Sequence, residues 1–393
     1  MPPIISTIGL VLLAAVSTAS TPDPVPSPGE IKIFKDWAVG CDNGGVCQAV
    51  SLLANEGDAG FDDWGGPITL VRTADQKDIL KVRVLVQTTD IDRYQMTVDG
   101  QRVDTGPIIK GDTPIEIVGQ DALKVASAIA RGRNLTVTGP GGKSLTKVSL
   151  AGSLAALRYI DQQQNRMSTR SALVAKGRKS FTPLNPVIPK IVVRHWDSAK
   201  RIPETTRIVE LVENSECKDE RYGVVEDQIF PMGQKDNTFR ALVLISCGSG
   251  AYNFASAAYI GEITGNEKDG ADWNFKPASF DRQPGWSGEG RTPLLVNAFW
   301  DADDQTLSSF SKGRGLGDCG NAERYVWDGE RFRLIEASSM NECRGAYEWI
   351  TTWRASFQKA ENSEVQKTNV EKLGEKISEE TMDNIAQDKR PKG

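Results

Sequence analysis

Residues able to do chemistry are scarce in this chain of 393 residues, and the scarcity is informative. His195 is the single histidine, so Ser-His-Asp triads, Cys-His pairs and multi-histidine metal sites rest on that one position or are absent. It stands in Ile191-Val192-Val193-Arg194-His195-Trp196-Asp197, a β-branched run that reads as a strand, and its expected role is structural. The six cysteines, Cys41, Cys47, Cys217, Cys247, Cys319 and Cys343, contain no C-x-x-C spacing, so neither zinc nor another metal is expected. Gly139-Pro140-Gly141-Gly142-Lys143-Ser144 imitates the end of a phosphate-binding loop. That loop needs glycine where Val137 stands, and the residues that follow read as strand, so a hairpin turn is expected instead. Asp301-Ala302-Asp303-Asp304 could offer carboxylates to calcium, but Gln305 and Thr306 fill the positions where an EF-type loop needs Asp or Asn and then glycine.

Acidic side chains are abundant, with 52 Asp and Glu, so paired carboxylates for glycoside hydrolysis stay open as a second alternative function. No catalytic residue is nominated and no cofactor is expected. Trp273, Trp286, Trp300, Trp327, Trp349 and Trp353 gather late in the chain. Core packing is their expected role, and exposure on the stretch 265–290 would favour carbohydrate stacking. A formal net charge of −5 gives no basic face for phosphate, which makes nucleic acid an improbable partner.

The elements that must position these residues are mostly strands. Ile31–Val39 alternates apolar and polar residues, as do Ile79–Gln87 and Arg93–Val103, the last with an Asp99-Gly100 turn. Asp121–Arg131 carries apolar residues at helical spacing and stops at Gly132, and a second helix is expected over 154–165 with Ser153 as its cap. Between them, 135–137 and 145–150 read as a hairpin. Residues 175–190 hold Pro183, Pro186 and Pro189 among basic residues, which suits a linker. Beyond it, strands are expected at Arg207–Val212, Arg240–Cys247, Leu294–Trp300 and Tyr325–Leu334, the last folding back at Asp328-Gly329. The fold class is therefore mainly β (α+β): an N-terminal β-sandwich-like domain with one or two helices over 31–174, then an antiparallel β domain over 191–357.

The two ends complete the organisation. Ile4–Val16 is an apolar run followed by the small residues Ser17, Thr18, Ala19 and Ser20, the pattern of a signal peptide over 1–20. Ser17 with Ala19, or Thr18 with Ser20, would satisfy the peptidase. The run is too short to span a bilayer of roughly 30 Å, and no transmembrane segment is expected. A Pro-rich spacer follows over 21–30. The stretch 358–393 is dense in charge without an apolar stripe, so a solvated helix or disorder is expected. An even cysteine count in an exported chain points to disulfides. Six cysteines allow about fifteen connectivities, of which the local set Cys41–Cys47, Cys217–Cys247 and Cys319–Cys343 is simplest.

Several segments together resemble a known family. They are Phe34-Lys35-Asp36-Trp37-Ala38-Val39-Gly40-Cys41-Asp42-Asn43 with Cys47; Gly152-Ser153-Leu154-Ala155-Ala156-Leu157-Arg158; Cys247 with Gly250-Ala251-Tyr252-Asn253; and Gly317-Asp318-Cys319-Gly320 with Glu342-Cys343-Arg344-Gly345. Their order resembles the exported bacterial family DUF1176, and the first region also looks like the invasion-associated locus B proteins. The resemblance implies a periplasmic location and disulfides, and no reaction. Ser249-Gly250-Ala251-Tyr252 is similar to the Ser-Gly-x-Tyr loop of some periplasmic lysozyme inhibitors, which implies a binding loop formed by Ser249, Gly250 and Tyr252. The expected function is a non-enzymatic periplasmic binding or envelope-associated protein, with lysozyme inhibition as the alternative and an envelope protein or lysozyme as the partner.

Overall fold

The computed structural model describes residues 25–54, 68–75, 77–86, 93–106, 115–194, 196–221, 226–265, 272–285 and 292–359. The leader, His195, Trp286 and the charged stretch beyond 359 therefore lie outside the described residues. The molecule is mainly β, with antiparallel sheets, none closed into a barrel.

In the first region β1 (Lys32–Phe34), β2 (Trp37–Cys41), β3 (Cys47–Ser51), β4 (Ile68–Arg72) and β5 (Leu80–Val84) run as neighbours. They form a six-stranded antiparallel sheet with β8 (Ile115–Val118) at its edge. A second sheet is built from β6 (Gln95–Val98), β7 (Gln101–Val103), β9 (Asn134–Thr138) and β10 (Ser144–Ser149), in the order β10-β9-β6-β7. Two helices, α1 (Gly119–Ile129) and α2 (Ser153–Gln163), complete the layer. Val125 and Ile129 of α1 and Leu157 and Ile160 of α2 are fully buried in one core with Trp37, Leu70, Val82 and Leu135. The Asp99-Gly100 turn closes β6 onto β7 with positive φ at both residues (49° and 80°), the geometry Asp-Gly favours. Pro140–Gly142 is the turn joining β9 and β10.

The expected Ser153 cap is not formed. Position 152 precedes the helix with φ 97°, and a Cβ there would stand 1.7 Å from the Phe34 carbonyl oxygen, so glycine is required. The Ser153 hydroxyl instead donates to the Ile129 carbonyl at 2.8 Å, tying α2 to α1.

The second region stacks two five-stranded arrangements. One runs β12 (Gln228–Lys235), β13 (Thr238–Ser249), β14 (Phe254–Thr264), β15 (Asn274–Pro277), with β16 (Leu294–Val296) also pairing β14. The other runs β17 (Phe299–Asp301), β18 (Thr306–Lys312), β19 (Gly320–Trp327), β20 (Phe332–Met340), β21 (Ile350–Arg354). Leu242, Leu244, Trp300, Tyr325 and Phe332 meet between them. Outside the second sheet, β11 (Lys190–Val193) pairs in parallel with β22 (Ser356–Lys359).

Two strand expectations are corrected. Arg207–Val212 belongs to a helix, α3 (Thr205–Glu213), because Ile208, Leu211 and Val212 recur at helical rather than alternating spacing and pack together on Val243, Ile245 and Tyr259. The run 294–300 is two strands, broken at Asn297, whose φ of 47° a strand cannot accommodate.

The regions are joined by more than the 175–190 segment. Arg344 donates to the carbonyls of Leu53 and Lys35 (both 2.7 Å) and to Asp36 Oδ1 (2.6 Å) across the junction. Ala38, Val50 and Leu52 from the first region share an apolar cluster with Met340, Ala346 and Ile350. Upstream of β1, Pro26 is buried, Arg282 donates to its carbonyl at 3.3 Å, and the Gly29 amide donates to the Thr352 carbonyl at 2.8 Å. Among the described residues no helix is long and apolar enough to cross a membrane.

Candidate functional site

Cys41 is bonded to Cys47, Cys217 to Cys247 and Cys319 to Cys343. The first joins directly opposed residues of β2 and β3. The other two lie in the second region and converge on one end of its sandwich, where the hairpin between β13 and β14 carries Ser249, Gly250 and Tyr252.

That hairpin is held from several sides. Its four-residue turn closes with the Gly250 amide donating to the Asn253 carbonyl at 2.7 Å. Asn253 then reaches across to β18: its Nδ2 donates to the Lys312 carbonyl at 2.9 Å, and its Oδ1 accepts from the Lys312 amide at 3.1 Å. Asn297 fills the remaining gap. Its Nδ2 donates to the carbonyls of Phe310 (2.8 Å) and Tyr252 (3.3 Å) and to Asn253 Oδ1 (3.2 Å), while its Oδ1 accepts from the Phe254 amide at 3.1 Å. Two amide side chains thus replace the ladder hydrogen bonds that end where the strands end.

The facing segment, 313–318, rests on the third disulfide. A Cβ at Gly313 would lie 2.6 Å from Cys319 Sγ, so only glycine lets the chain approach this closely. Asp318 is fully buried and accepts both Arg314 Nε at 2.8 Å and Arg314 Nη2 at 2.6 Å, together with the Gly345 amide at 2.6 Å. Burial alone would raise its pKa, but these donors and the Arg314 charge bring it below the usual carboxylate range.

On this frame Gly250 and Ala251 form an exposed tip, while Ser249 and Tyr252 are half-buried. Tyr252 leans over Gly315, and its hydroxyl reaches the Gly313 carbonyl only at 3.5 Å. A cavity of about 360 Å³ is lined by the stretch 247–253 with Ala255 and Val296. Phe254, whose amide meets Asn297, and Phe299, two residues beyond Asn297, are 42% and 64% exposed. The arrangement presents hydroxyls and apolar surface from a fixed backbone.

The other chemical candidates are placed elsewhere. The Asp301 carboxylate accepts the amides of Asp303 (3.0 Å) and Asp304 (3.2 Å), an ordinary turn. Among the described residues no group of three or more His, Cys, Asp or Glu is placed to hold a metal. Trp273, Trp300, Trp327 and Trp353 are buried, and half-buried Trp349 stacks on Phe310 at 4.8 Å. One carboxylate stands out that the sequence reading did not single out. Glu323 lies in partial burial that pushes its pKa up to about 7, against the opposing pull of the Gly285 amide and Arg282. Its charge and that of Asp281 both raise the pKa of the buried Tyr325, whose shift burial dominates. Asp281 is already engaged by Arg333 Nε and the Leu334 amide, both at 2.9 Å, so the two acids do not form a free pair.

Residues 31–356 match the family described as "Protein of unknown function (DUF1176)", a span that takes in both regions and all three disulfides. The chain belongs to the DUF1176 family. The chain is 27% identical over 350 residues to the uncharacterized protein YpfG of Escherichia coli (strain K12), covering 82% of this chain and 92% of the relative. No solved structure matches. The family match begins at the residue before β1 and ends at the start of β22, so the hairpin with Ser249 and Tyr252, Asn297 and Asp318 all lie inside the matched span. Asn297 and Asp318 act through contacts between distant segments, and only the quoted Gly317-Asp318-Cys319-Gly320 motif hinted at either.

Proposed function

We propose that this DUF1176 protein is an exported, non-enzymatic binding protein of the bacterial envelope, engaging its partner through the hairpin 249–253. The leader-like residues 1–20 and three disulfides support export to an oxidising compartment. One observation supports the contact surface above others: the Asn253–Asn297 clamp fixes the hairpin backbone while leaving Gly250, Ala251 and the adjoining cavity open. A loop fixed before binding loses little conformational freedom on binding.

Lysozyme is the sharper choice of partner. Ser249 and Tyr252 bring two hydroxyls to one rigid hairpin, the chemistry that would meet catalytic carboxylates in a sugar-binding cleft. The test is inhibition of a panel of lysozymes by the oxidised protein. Inhibition by the native chain, with loss of at least about tenfold in potency on Ser249→Ala combined with Tyr252→Ala, would support it. Inhibition untouched by these changes would remove the hairpin from the function, and no inhibition of any lysozyme would leave an envelope protein as the partner. The Trp37-to-Cys41 opening on β2, packed against Leu157 of α2, also supports extending the locus B likeness to the architecture of the first region.

A further inference from the structure

A second cavity, of about 560 Å³, lies at the opposite region, between the β6–β7 hairpin and the C-terminal half of α1. Its size suits a ligand of one or two sugar units. Val98, Val103 and Ala128 give it an apolar floor, and Gly132 lets the helix end settle there, since a Cβ at that position would stand 2.1 Å from Val98 Cγ1.

The charges around this cavity are divided unequally. Asp99 lines it, but its carboxylate accepts the amides of Arg133 (3.0 Å) and Asn134 (2.9 Å) and so closes the turn below. Asp104 is taken up by Lys124 Nζ at 2.8 Å, and the same ammonium holds Asp121 at 2.8 Å. The one lysine is thereby spent on two carboxylates, and Asp104 also feels the charge of Arg102 without a hydrogen bond to it. Arg102 on β7 and Arg131 just after α1 remain: both are exposed, both line the cavity, and neither guanidinium has a hydrogen-bond acceptor among the described residues. Ser127 and Gln101 add a hydroxyl and an amide between them.

Two guanidinium groups over an apolar floor match an anionic group on a compact organic body, because each can donate two parallel N–H groups to a carboxylate or phosphate. We infer that this cavity is a binding site for a small carboxylate- or phosphate-bearing sugar, held by Arg102 and Arg131. The site is separate from the hairpin proposed to bind a protein partner, and neither depends on the other.

The experiment is a titration of the full, oxidised chain with glucuronate, glucose 6-phosphate and, as the uncharged control, glucose, followed by amide chemical shifts. Either anion should shift the amides of 98–104 and 127–132 in a saturable way, and glucose should not. Arg102→Gln or Arg131→Gln should weaken binding about tenfold and the double variant should abolish it, whereas Lys147→Gln, at an exposed position on β10, should leave it unchanged. Because both guanidinium groups are exposed and have no hydrogen-bond acceptor among the described residues, the variants are expected to fold. The inference is overturned if neither anion perturbs these amides at about 10 mM, if the double variant binds as the native chain does, or if Lys147→Gln weakens binding as much as the arginine changes.

Discussion

In the first region two fully buried charged side chains arrive with several partners each, although Arg72 Nη1 and Arg83 Nε nearby have no hydrogen-bond partner among the described residues. Asp161 is fully buried and accepts the amides of Leu173 (2.7 Å), Val174 (2.8 Å) and Ala175 (3.1 Å). Arg166, also fully buried, donates to Gln164 Oε1 (2.9 Å), Ser171 Oγ (3.0 Å) and the Thr73 carbonyl (3.1 Å), pairs with Asp78, and lies 3.6 Å from the centre of the Phe181 ring. In the second region the core is aromatic. Phe332 meets Trp327 at 4.9 Å and Phe280 at 5.1 Å, while the Trp300 and Trp327 indole nitrogens and the Tyr325 hydroxyl have no hydrogen-bond partner among the described residues. The first region uses Asp161 and Arg166 to pin one loop, 164–181, to the sheet. The second gains area from large rings whose own polar atoms go unmatched, and its specificity lies at its rim, in Asn253, Asn297 and Asp318.

The comparison breaks most readily at Arg166. Arg166→Ala should lower unfolding stability by about 3 kcal/mol, because it leaves Gln164 Oε1 and the Thr73 carbonyl without this donor and Asp78 with Arg72 as its remaining cationic partner. Urea denaturation would measure it. A loss below about 1 kcal/mol would mean that the network is incidental and the two cores are alike.

A smaller effect separates the regions by pH. Glu323 holds its proton in the folded chain up to about pH 7, against an ordinary value of 4.5. Between those values the folded state binds the extra proton, so stability falls as pH rises through this window and is lowest above pH 7. Glu323→Gln should flatten this fall and leave the chain about 2 kcal/mol more stable than the native one at pH 8, with little difference near pH 4. Denaturation midpoints at both pH values decide it, and an unchanged slope in the variant would sink the assignment.

The smallest expected change is at Tyr325. With no partner for its hydroxyl among the described residues, Tyr325→Phe should be neutral or stabilising by up to about 1 kcal/mol. A clear loss in thermal unfolding would show that the hydroxyl is hydrogen-bonded, and would bring the second core closer to the first.

What could be read from the residues alone follows the range over which each interaction acts. Strand alternation, the Asp99-Gly100 and Asp328-Gly329 turns and the helix stop at Gly132 depend on neighbours a few positions apart. The Asp328 carboxylate, for instance, accepts the amides of Glu330 (2.8 Å) and Arg331 (2.9 Å). At 207–212 the β-branched content favours a strand, but the helical spacing of Ile208, Leu211 and Val212 on one packed face prevails. For the candidate site, Ser249, Gly250 and Tyr252 were visible as a short motif. Asn297 was not, because it bonds Asn253 and Tyr252 from 44 and 45 positions away and leaves no local pattern. Arg344 stands in one of the family-like motifs, but its reach to Leu53 and Lys35, 291 and 309 positions away, leaves no local pattern either.

Those long reaches bear on how the chain is born. Residues made early, Gln48 and Asn43, complete their hydrogen bonds only with Thr351 and Arg354, and Gly29 waits for Thr352. A ribosome delivers the N-terminus first, so the junction face of β2 and β3 stays uncovered until almost the last strand has emerged. Completion of the fold is thus a post-synthetic event, and a chain cut short before β21 would leave Ala38, Val50 and Leu52 without the surface that covers them.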